Sequence, residues 1–286
     1  RRRSGSGTTD ENGGARPRNP EAAPPGAKLV GMSDAPDPND PYSRLSYRRL
    51  IAWPARIQRE APFLREVLAG TPSKRLLDLG CGTGEHARFL QEEGFEVTGV
   101  DASEAQLAQA REGGPGPVFA KGNLAELAAA VAGPFGGAIA LGNGLPHLFP
   151  VEMVRFLADL AGLLLPDAPV LFQVLNYDRI LDQRVTSLPL NVREDDGERV
   201  VFLRLMDPRP DGSVLFNPTT LRWRPGEEPP VEVVTGKNFV LKGWRRAELE
   251  AALTGAGFRI EEVFGGMKRE SWDAAASSDT VVLARR

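Results

Sequence analysis

Arg75-Leu-Leu-Asp-Leu-Gly-Cys-Gly-Thr-Gly-Glu-His86 is the stretch whose reading decides the fold of this chain. Leu76 to Leu79 is a short apolar run and reads as a buried strand. It breaks into Gly80, Gly82 and Gly84, and the segment after Gly84 reads as a helix with Phe89 and Leu90 among its apolar positions. Strand, glycine-rich turn and helix form the first half of a nucleotide-binding βαβ unit. Glycine suits such a turn because the backbone approaches the ligand closely and can adopt positive φ. Phe95-Glu-Val-Thr-Gly-Val100 reads as a second strand with Asp101 at its C-terminal end. A carboxylate at that point can accept both hydroxyl protons of a ribose.

Spacing separates two classes of ligand. A dinucleotide turn follows G-x-G-x-x-G. Here the glycines fall at 80, 82 and 84, and position 85 is Glu85. Its negative charge stands beside the helix N-terminus, where a pyrophosphate would otherwise sit. A ligand without phosphates fits that arrangement better. The pattern resembles motif I of the class I S-adenosylmethionine-dependent methyltransferases, with Asp101 as the ribose acid.

Outward from this unit, composition sets bounds. The chain has 286 residues and a formal charge of −3. That length accommodates one α/β domain with an insertion. The mildly acidic balance leaves no electrostatic footprint for nucleic acid. Cys81 is the one cysteine, which excludes internal disulfides and points to a reducing, cytoplasmic setting. No apolar run approaches bilayer-spanning length, and no apolar segment follows the N-terminal arginines as a signal peptide would require. Neither a membrane nor a metal is expected.

Residues 1–40 are rich in Gly, Pro, Ser, Asn and charge. They offer too little apolar surface to offset ordering entropy and read as a disordered tail. From 41 to 185 the pattern is that of a cofactor-binding α/β core. Ile57, Ala61, Leu64 and Leu68 fall at helical spacing, with Pro54 in the first turn. Ser103 and Gln106 form a capping box for a helix over Glu104–Arg111. Further strands read at Pro117–Ala120, Phe135–Leu141 and Val170–Leu175. A helix carrying Met153, Leu157, Leu160 and Leu164 on one face precedes the last of these. Alternating strands and helices imply a doubly wound parallel sheet, with ligands at the C-terminal strand ends. Residues 186–240 break the alternation. Val200–Leu205, Ser213–Phe216 and Val231–Val234 are β-rich runs between the turn pairs Asp196-Gly197, Asp211-Gly212 and Pro225-Gly226. They read as an inserted antiparallel β subdomain. Residues 241–286 return to the core, with a helix over Arg245–Leu253 and a hairpin of Phe258–Phe264 and Thr280–Ala284.

With these landmarks placed, the chain is similar to the glycine N-methyltransferase-like branch of the class I enzymes. The motifs that carry the likeness are Leu77-Asp-Leu-Gly-Cys-Gly-Thr-Gly84, Glu93-Gly-Phe-Glu-Val-Thr-Gly-Val-Asp-Ala-Ser103, Leu141-Gly-Asn-Gly-Leu-Pro-His-Leu148 and Asn176-Tyr-Asp178. They cover roughly Tyr42 to Leu181 and, more loosely, the C-terminal hairpin. The resemblance implies a Rossmann-like seven-stranded sheet, an N-terminal lid helix and S-adenosyl-L-methionine as cofactor. It implies that Gly80, Cys81, Gly82 and Gly84 line the methionine part, that Ala102 lies against the adenine face, and that Asn123 and the Leu124 N–H read the adenine edge. A simple Asx-turn is the rival reading of Asn123. The resemblance also places Leu141 at the cofactor and makes Arg56 a clamp on its carboxylate. His147 lies in the loop facing the transferred methyl, where it can orient the cofactor or take a proton. Asn143, Asn176 and Tyr177 are candidates to hold a small-molecule acceptor. His86, on the first helix, reads as packed or solvated.

One departure matters. In the glycine enzymes an arginine precedes the Asn-Tyr-Asp triplet and grips the acceptor's carboxylate. Here that position is Leu175, which has no fork of donors to offer. Methyl transfer to an amine nitrogen is the expected reaction, with glycine a doubtful substrate. An O-methyltransferase, a nicotinamide-linked oxidoreductase and a non-catalytic cofactor-binding subunit are the alternatives. Oligomeric state is not legible.

Overall fold

The computed structural model describes residues 47–195 and 198–286. The tail expected over 1–40 and the Asp196-Gly197 turn lie outside them. In chain order the helices are α1 (Tyr47–Leu50), α2 (Trp53–Leu68), α3 (Glu85–Glu92), α4 (Glu104–Glu112), α5 (Leu127–Ala130), α6 (Pro150–Leu163), α7 (Tyr177–Asp182) and α8 (Arg246–Gly255). The strands are β1 (Arg75–Leu79), β2 (Glu96–Asp101), β3 (Val118–Lys121), β4 (Gly137–Ala140), β5 (Pro169–Leu175), β6 (Asn191–Asp195), β7 (Glu198–Pro208), β8 (Ser213–Trp223), β9 (Val231–Gly236), β10 (Phe239–Lys242), β11 (Arg259–Phe264) and β12 (Asp279–Arg285).

Seven strands form one sheet in the order β11-β12-β5-β4-β1-β2-β3. β1 to β5 pair in parallel, while β12 runs antiparallel to both β5 and β11. The order reverses between β1 and β4, so a crevice opens at their C-terminal ends. Parallel strands covered on both faces need apolar side chains on both faces. β1 meets that need: Leu77 faces the cluster built on α6, and Leu76 faces the cluster built on α2 and α3. α2 supplies Ala61, Leu64 and Leu68 to the latter, as the helical spacing implies.

The insertion is a second, antiparallel sheet in the order β10-β8-β7-β6, with β9 also paired to β8. Its β7–β8 hairpin is much longer than the apolar runs suggest, because many of its residues are polar and interrupt those runs. The turn is local chemistry: Asp211 Oδ1 accepts the Ser213 N–H at 2.9 Å and Gly212 has a φ of +78°. Met206, Val214, Phe216, Phe239 and Leu241 join the main core cluster, so the two sheets share one interior. The Trp244 indole N–H adds a bond to the Leu148 carbonyl at 3.0 Å.

Two boundaries differ from the sequence reading. The fourth strand is shorter, because Phe135 makes only an isolated bridge to Leu164. The second sheet ends at Lys242 rather than 240, because Phe239–Lys242 continue pairing with Ser213–Phe216.

Candidate active site

The glycine turn after β1 is shaped from two sides. Gly80, Gly82 and Gly84 have φ of +70°, +54° and +82°. A Cβ on Gly80 or Gly82 would meet nothing within 4 Å, so bare backbone faces open space there. A Cβ on Gly84 would lie 2.6 Å from the Phe119 ring. The first two glycines leave room for a ligand, and the third lets β3 pack beneath the turn. Cys81 is half-buried, and burial pushes its thiol well up, which suits a space-filler and not a nucleophile.

Asp101, at the end of β2, locks this turn. Its Oδ2 accepts the Gly82 N–H at 2.8 Å and its Oδ1 accepts the Ser103 N–H at 2.8 Å. Both carboxylate oxygens are thus turned toward the backbone of the glycine loop and its neighbour. Ala102 beside it is exposed, on the rim of the crevice. Further along the rim, Asn123 Oδ1 accepts the Ala125 N–H at 3.0 Å. That is the Asx-type cap. Asn123 itself is exposed and Leu124 half-buried.

Asp78 sits below the turn and carries no signal in the sequence reading. It is buried, and its Oδ2 has no protein partner. Desolvation first, then the nearby Asp101 charge, pushes its carboxyl up to about 7 against the opposing Ala87 N–H. An orphaned buried carboxyl oxygen beside bare backbone is the kind of group a cationic ligand group satisfies.

Arg56 is held in place by a buried network. Its Nε donates to Glu60 Oε1 at 2.9 Å, and its guanidinium lies 5.1 Å from the Trp53 ring centroid. Glu60, only 1% exposed, also meets His86 Nε2 at 2.8 Å. Burial alone would raise the Glu60 carboxyl, but the bonds and charges of His86 and Arg56 outweigh it and bring it to about 2. His86 is lowered by desolvation, so at neutral pH it is an uncharged donor and Arg56 is the counter-charge. The His86 ring packs edge-on against Trp53 at 5.4 Å. Of its two sequence readings, packing is the one realised. The remaining Arg56 N–H groups border Gly142, where a Cβ would lie 4.0 Å from Nη2.

Glu85 does not present a bare charge. Its Oε1 accepts from Arg48 Nε at 2.8 Å, and its other oxygen takes the Thr83 hydroxyl. Arg48 also donates to the Thr83 carbonyl at 3.0 Å. The case against a pyrophosphate therefore rests on an occupied helix N-terminus. Arg48 belongs to α1, whose Leu50 packs on Phe202 of β7. One short helix thus spans from glycine turn to inserted sheet.

The β4 side is built by side chains. Leu141 is buried, and the next two residues turn back with φ of +82° at Gly142 and +69° at Asn143. Gln173 Oε1 accepts the Gly142 N–H at 2.7 Å. Asn143 Oδ1 accepts the Leu175 N–H at 2.9 Å, and its Nδ2 donates to the Tyr177 hydroxyl at 3.2 Å. His147 is half-buried and packs edge-on to Phe239 of the inserted sheet at 5.6 Å. Burial lowers it to about 4. A neutral imidazole with so low a value is a poor acceptor for an ammonium proton, which corrects the proton-taking role read from sequence.

Two acceptor candidates also need correcting. Asn176 is 0% exposed. Its Nδ2 donates to the carbonyls of Asp273, Ala274 and Ser277, and its Oδ1 caps α7 by accepting the Arg179 N–H. It holds a loop and has nothing left for a substrate. Tyr177 is buried and its hydroxyl is committed to Asn143, with burial pushing its phenol up. Asp178 Oδ2 accepts the Arg246 N–H at 2.8 Å. The triplet is a clasp that ties β5 to the β4 turn, the 273–277 loop and α8. Among the described residues no group of side chains is placed to hold a metal, and no helix is long and apolar enough to cross a membrane.

Comparison with known proteins agrees with this architecture. Residues 76–167 match a methyltransferase domain model. A glycine/sarcosine N-methyltransferase from Halorhodospira halochloris is 32% identical over 147 residues, 48% of this chain and 53% of that protein. The chain thus spans about half the length of such curated relatives. Among solved structures, an S-adenosylmethionine-dependent methyltransferase from Clostridium acetobutylicum superposes with a TM-score of 0.65 at 17% identity, covering 85% of this chain and 95% of that one. An amino pentose methyltransferase from Micromonospora echinaspora superposes with a TM-score of 0.63 at 21% identity, covering 84% and 94%.

Proposed function

We infer that this chain, which has the class I S-adenosylmethionine-dependent methyltransferase fold and is akin to the glycine N-methyltransferase branch, methylates the amine nitrogen of a small molecule. The single observation that carries the reading is the glycine turn locked by Asp101. Gly80 and Gly82 leave open space, Asp101 stands at the turn to meet a ribose, and Asp78 offers an unsatisfied carboxyl oxygen beneath. These residues fit S-adenosylmethionine. When bound, that cofactor supplies an electrophilic methyl on a sulfonium.

The protein's own contribution is placement. Asp101 holds the ribose and fixes the turn at once. Arg56, steadied by Glu60 and Trp53, grips the cofactor carboxylate with the N–H groups that Glu60 leaves over. Leu141 and the backbone of the β4 turn border the methionine part, and Ala102, Asn123 and Leu124 border the adenine. Asn143, pinned by Leu175 and Tyr177, presents its amide at the acceptor side, and His147 orients the loop. Alignment of this kind can supply about 7–11 kcal/mol of barrier reduction without covalent help. α1 and the inserted sheet act as the lid that excludes water.

Leu175 argues against an α-carboxylate on the acceptor. Turnover of amino sugars and other small amines, compared with glycine and sarcosine, tests this. Preference for the carboxylate-free amines is the expected result, and glycine as best substrate would overturn it. The likeness to glycine/sarcosine enzymes supports the amine, and Leu175 narrows which amine.

A further inference from the structure

Resting on the methyltransferase reading above, we propose that Asp279 receives the acceptor amine. Its carboxylate accepts an N–H of the acceptor nitrogen and faces the positive charge that methylation leaves there. Neither the glycine motif nor the Asn-Tyr-Asp triplet points to this residue.

The register of the sheet places it. β12 runs antiparallel to β5, so its first residue stands at the C-terminal end of β5, on the edge where the crevice opens. Asp279 pairs directly with Leu175, and Val281 with Gln173. Directly opposite residues of an antiparallel pair share one face of the sheet. Val281 and Leu171 pack in the cluster formed with α2, so this is the α2 face, where Arg56 and Glu60 sit. Gln173 reaches across to Asp279 while holding the Gly142 N–H, and the Arg56 and Glu60 charges both act on the carboxylate. Asp279 therefore feels the clamp arginine's charge and is tied through Gln173 to the β4 turn. It is half-buried, and Ser278 Oγ donates to its Oδ2 at 3.1 Å, which leaves acceptor capacity on the carboxylate.

The charge pattern is the reverse of what a carboxylate-bearing acceptor needs. Where the glycine enzymes carry an arginine, this chain has neutral Leu175, and the residue paired with it is an acid. In the transfer the nitrogen–methyl bond forms as the sulfur–methyl bond breaks with its electron pair staying on sulfur. Positive charge leaves the sulfur and develops on the nitrogen. A fixed carboxylate beside that nitrogen is worth more in the transition state than in the ground state, which is the condition for catalysis. The methylated nitrogen gives up one N–H proton to water as the product leaves the carboxylate. Burial pushes this carboxyl up, and the Ser278 and Gln173 bonds pull the other way.

The same chemistry could serve the amino group of the cofactor's methionine part, and the test separates the two. Full-length Asp279→Asn and Asp279→Glu are compared with the unmodified chain, using glycinamide as probe amine. Three quantities are read: calorimetric Kd for S-adenosylmethionine, calorimetric Kd for glycinamide on the complex with the demethylated cofactor, and kcat/KM for glycinamide. Asp279→Asn is expected to weaken glycinamide at least about tenfold, cut kcat/KM roughly 100-fold, and leave the cofactor Kd within about twofold. Asp279→Glu is expected to recover most of the loss. Matching melting curves establish the fold, and if Asp279→Asn unfolds the chain, Asp279→Glu alone carries the comparison through a displaced pH profile. A weakened cofactor Kd would move the carboxylate to the cofactor and overturn the proposal. So would unchanged glycinamide binding, or no glycinamide binding to the unmodified complex. Failure of the unmodified chain to bind S-adenosylmethionine would instead remove the methyltransferase reading itself.

Discussion

The β1–β2 half of the sheet edge and the β4–β5–β12 half face the same crevice but are made differently. In the first, backbone does most of the work: three positive-φ glycines, one carboxylate accepting two backbone N–H groups, and open space where side chains on Gly80 and Gly82 would stand. In the second, side chains far apart in sequence hold one another: Asn143 with Leu175 and Tyr177, Gln173 with Gly142, and Asn176 with three carbonyls of the 273–277 loop. The difference teaches where a common ligand is bound and where a particular one is chosen. A backbone cradle tolerates drift in most side chains and keeps its ligand. A side-chain network can be rewired by single substitutions.

That contrast can be broken by substitution, beginning with the largest effect. Gly84→Val forces a branched residue into φ +82° with its Cβ 2.6 Å from Phe119. It should cost about 3 kcal/mol or more of stability and, with it, cofactor binding. Urea unfolding checks this, and a variant as stable as the parent would show that the turn is not held by β3.

Asn176→Ala should come next. It strands three partly buried loop carbonyls and one helix N–H, at about 2–3 kcal/mol. Cofactor affinity of the folded fraction should be unchanged. A near-normal melting temperature with a raised acceptor KM would return Asn176 to the substrate site.

Glu60→Gln sharpens the comparison, because Glu60 supports the cofactor half through side chains. Loss of the charge-assisted bond to Arg56 should weaken S-adenosylmethionine binding by about 1–2 kcal/mol. It also alters pH dependence with a definite sign. Glu60 is held at about 2 in the folded chain against an ordinary 4.5. The stabilisation it contributes is therefore complete above about pH 4.5 and is lost as pH falls through about 2. The stability gap between parent and variant should close over that window. A gap independent of pH would mean that the carboxylate charge is not what holds Arg56.

The same division governs what the sequence makes legible. β1, α3, β2 and the Asp101 position can be read because they rest on neighbours in the chain: apolar run, glycines, then an acid at a fixed distance. The clasp cannot. Asn176-Tyr-Asp178 is visible as a motif, but its burial depends on the 273–277 loop, about a hundred residues on. His147 falls in the expected loop, yet its low value follows from burial beside Phe239 and the inserted sheet. Phe119 and Asp78 give no periodic signal; their roles exist only once β3 and α3 have packed about the turn. Glu60 and His86 are 26 residues apart on two helices, and no spacing rule joins them.

The central claim is that the glycine turn and Asp101 hold S-adenosylmethionine. Calorimetric titration of the unmodified chain and of Asp101→Ala, with S-adenosylmethionine, its demethylated product and NAD in turn, tests it most directly. The unmodified chain should bind the first two saturably and NAD not at all. The variant, whose fold persists, should lose about 1.5–3 kcal/mol. Saturable NAD binding with no response to the methyl donor, or an Asp101→Ala variant with unchanged affinity, would contradict it.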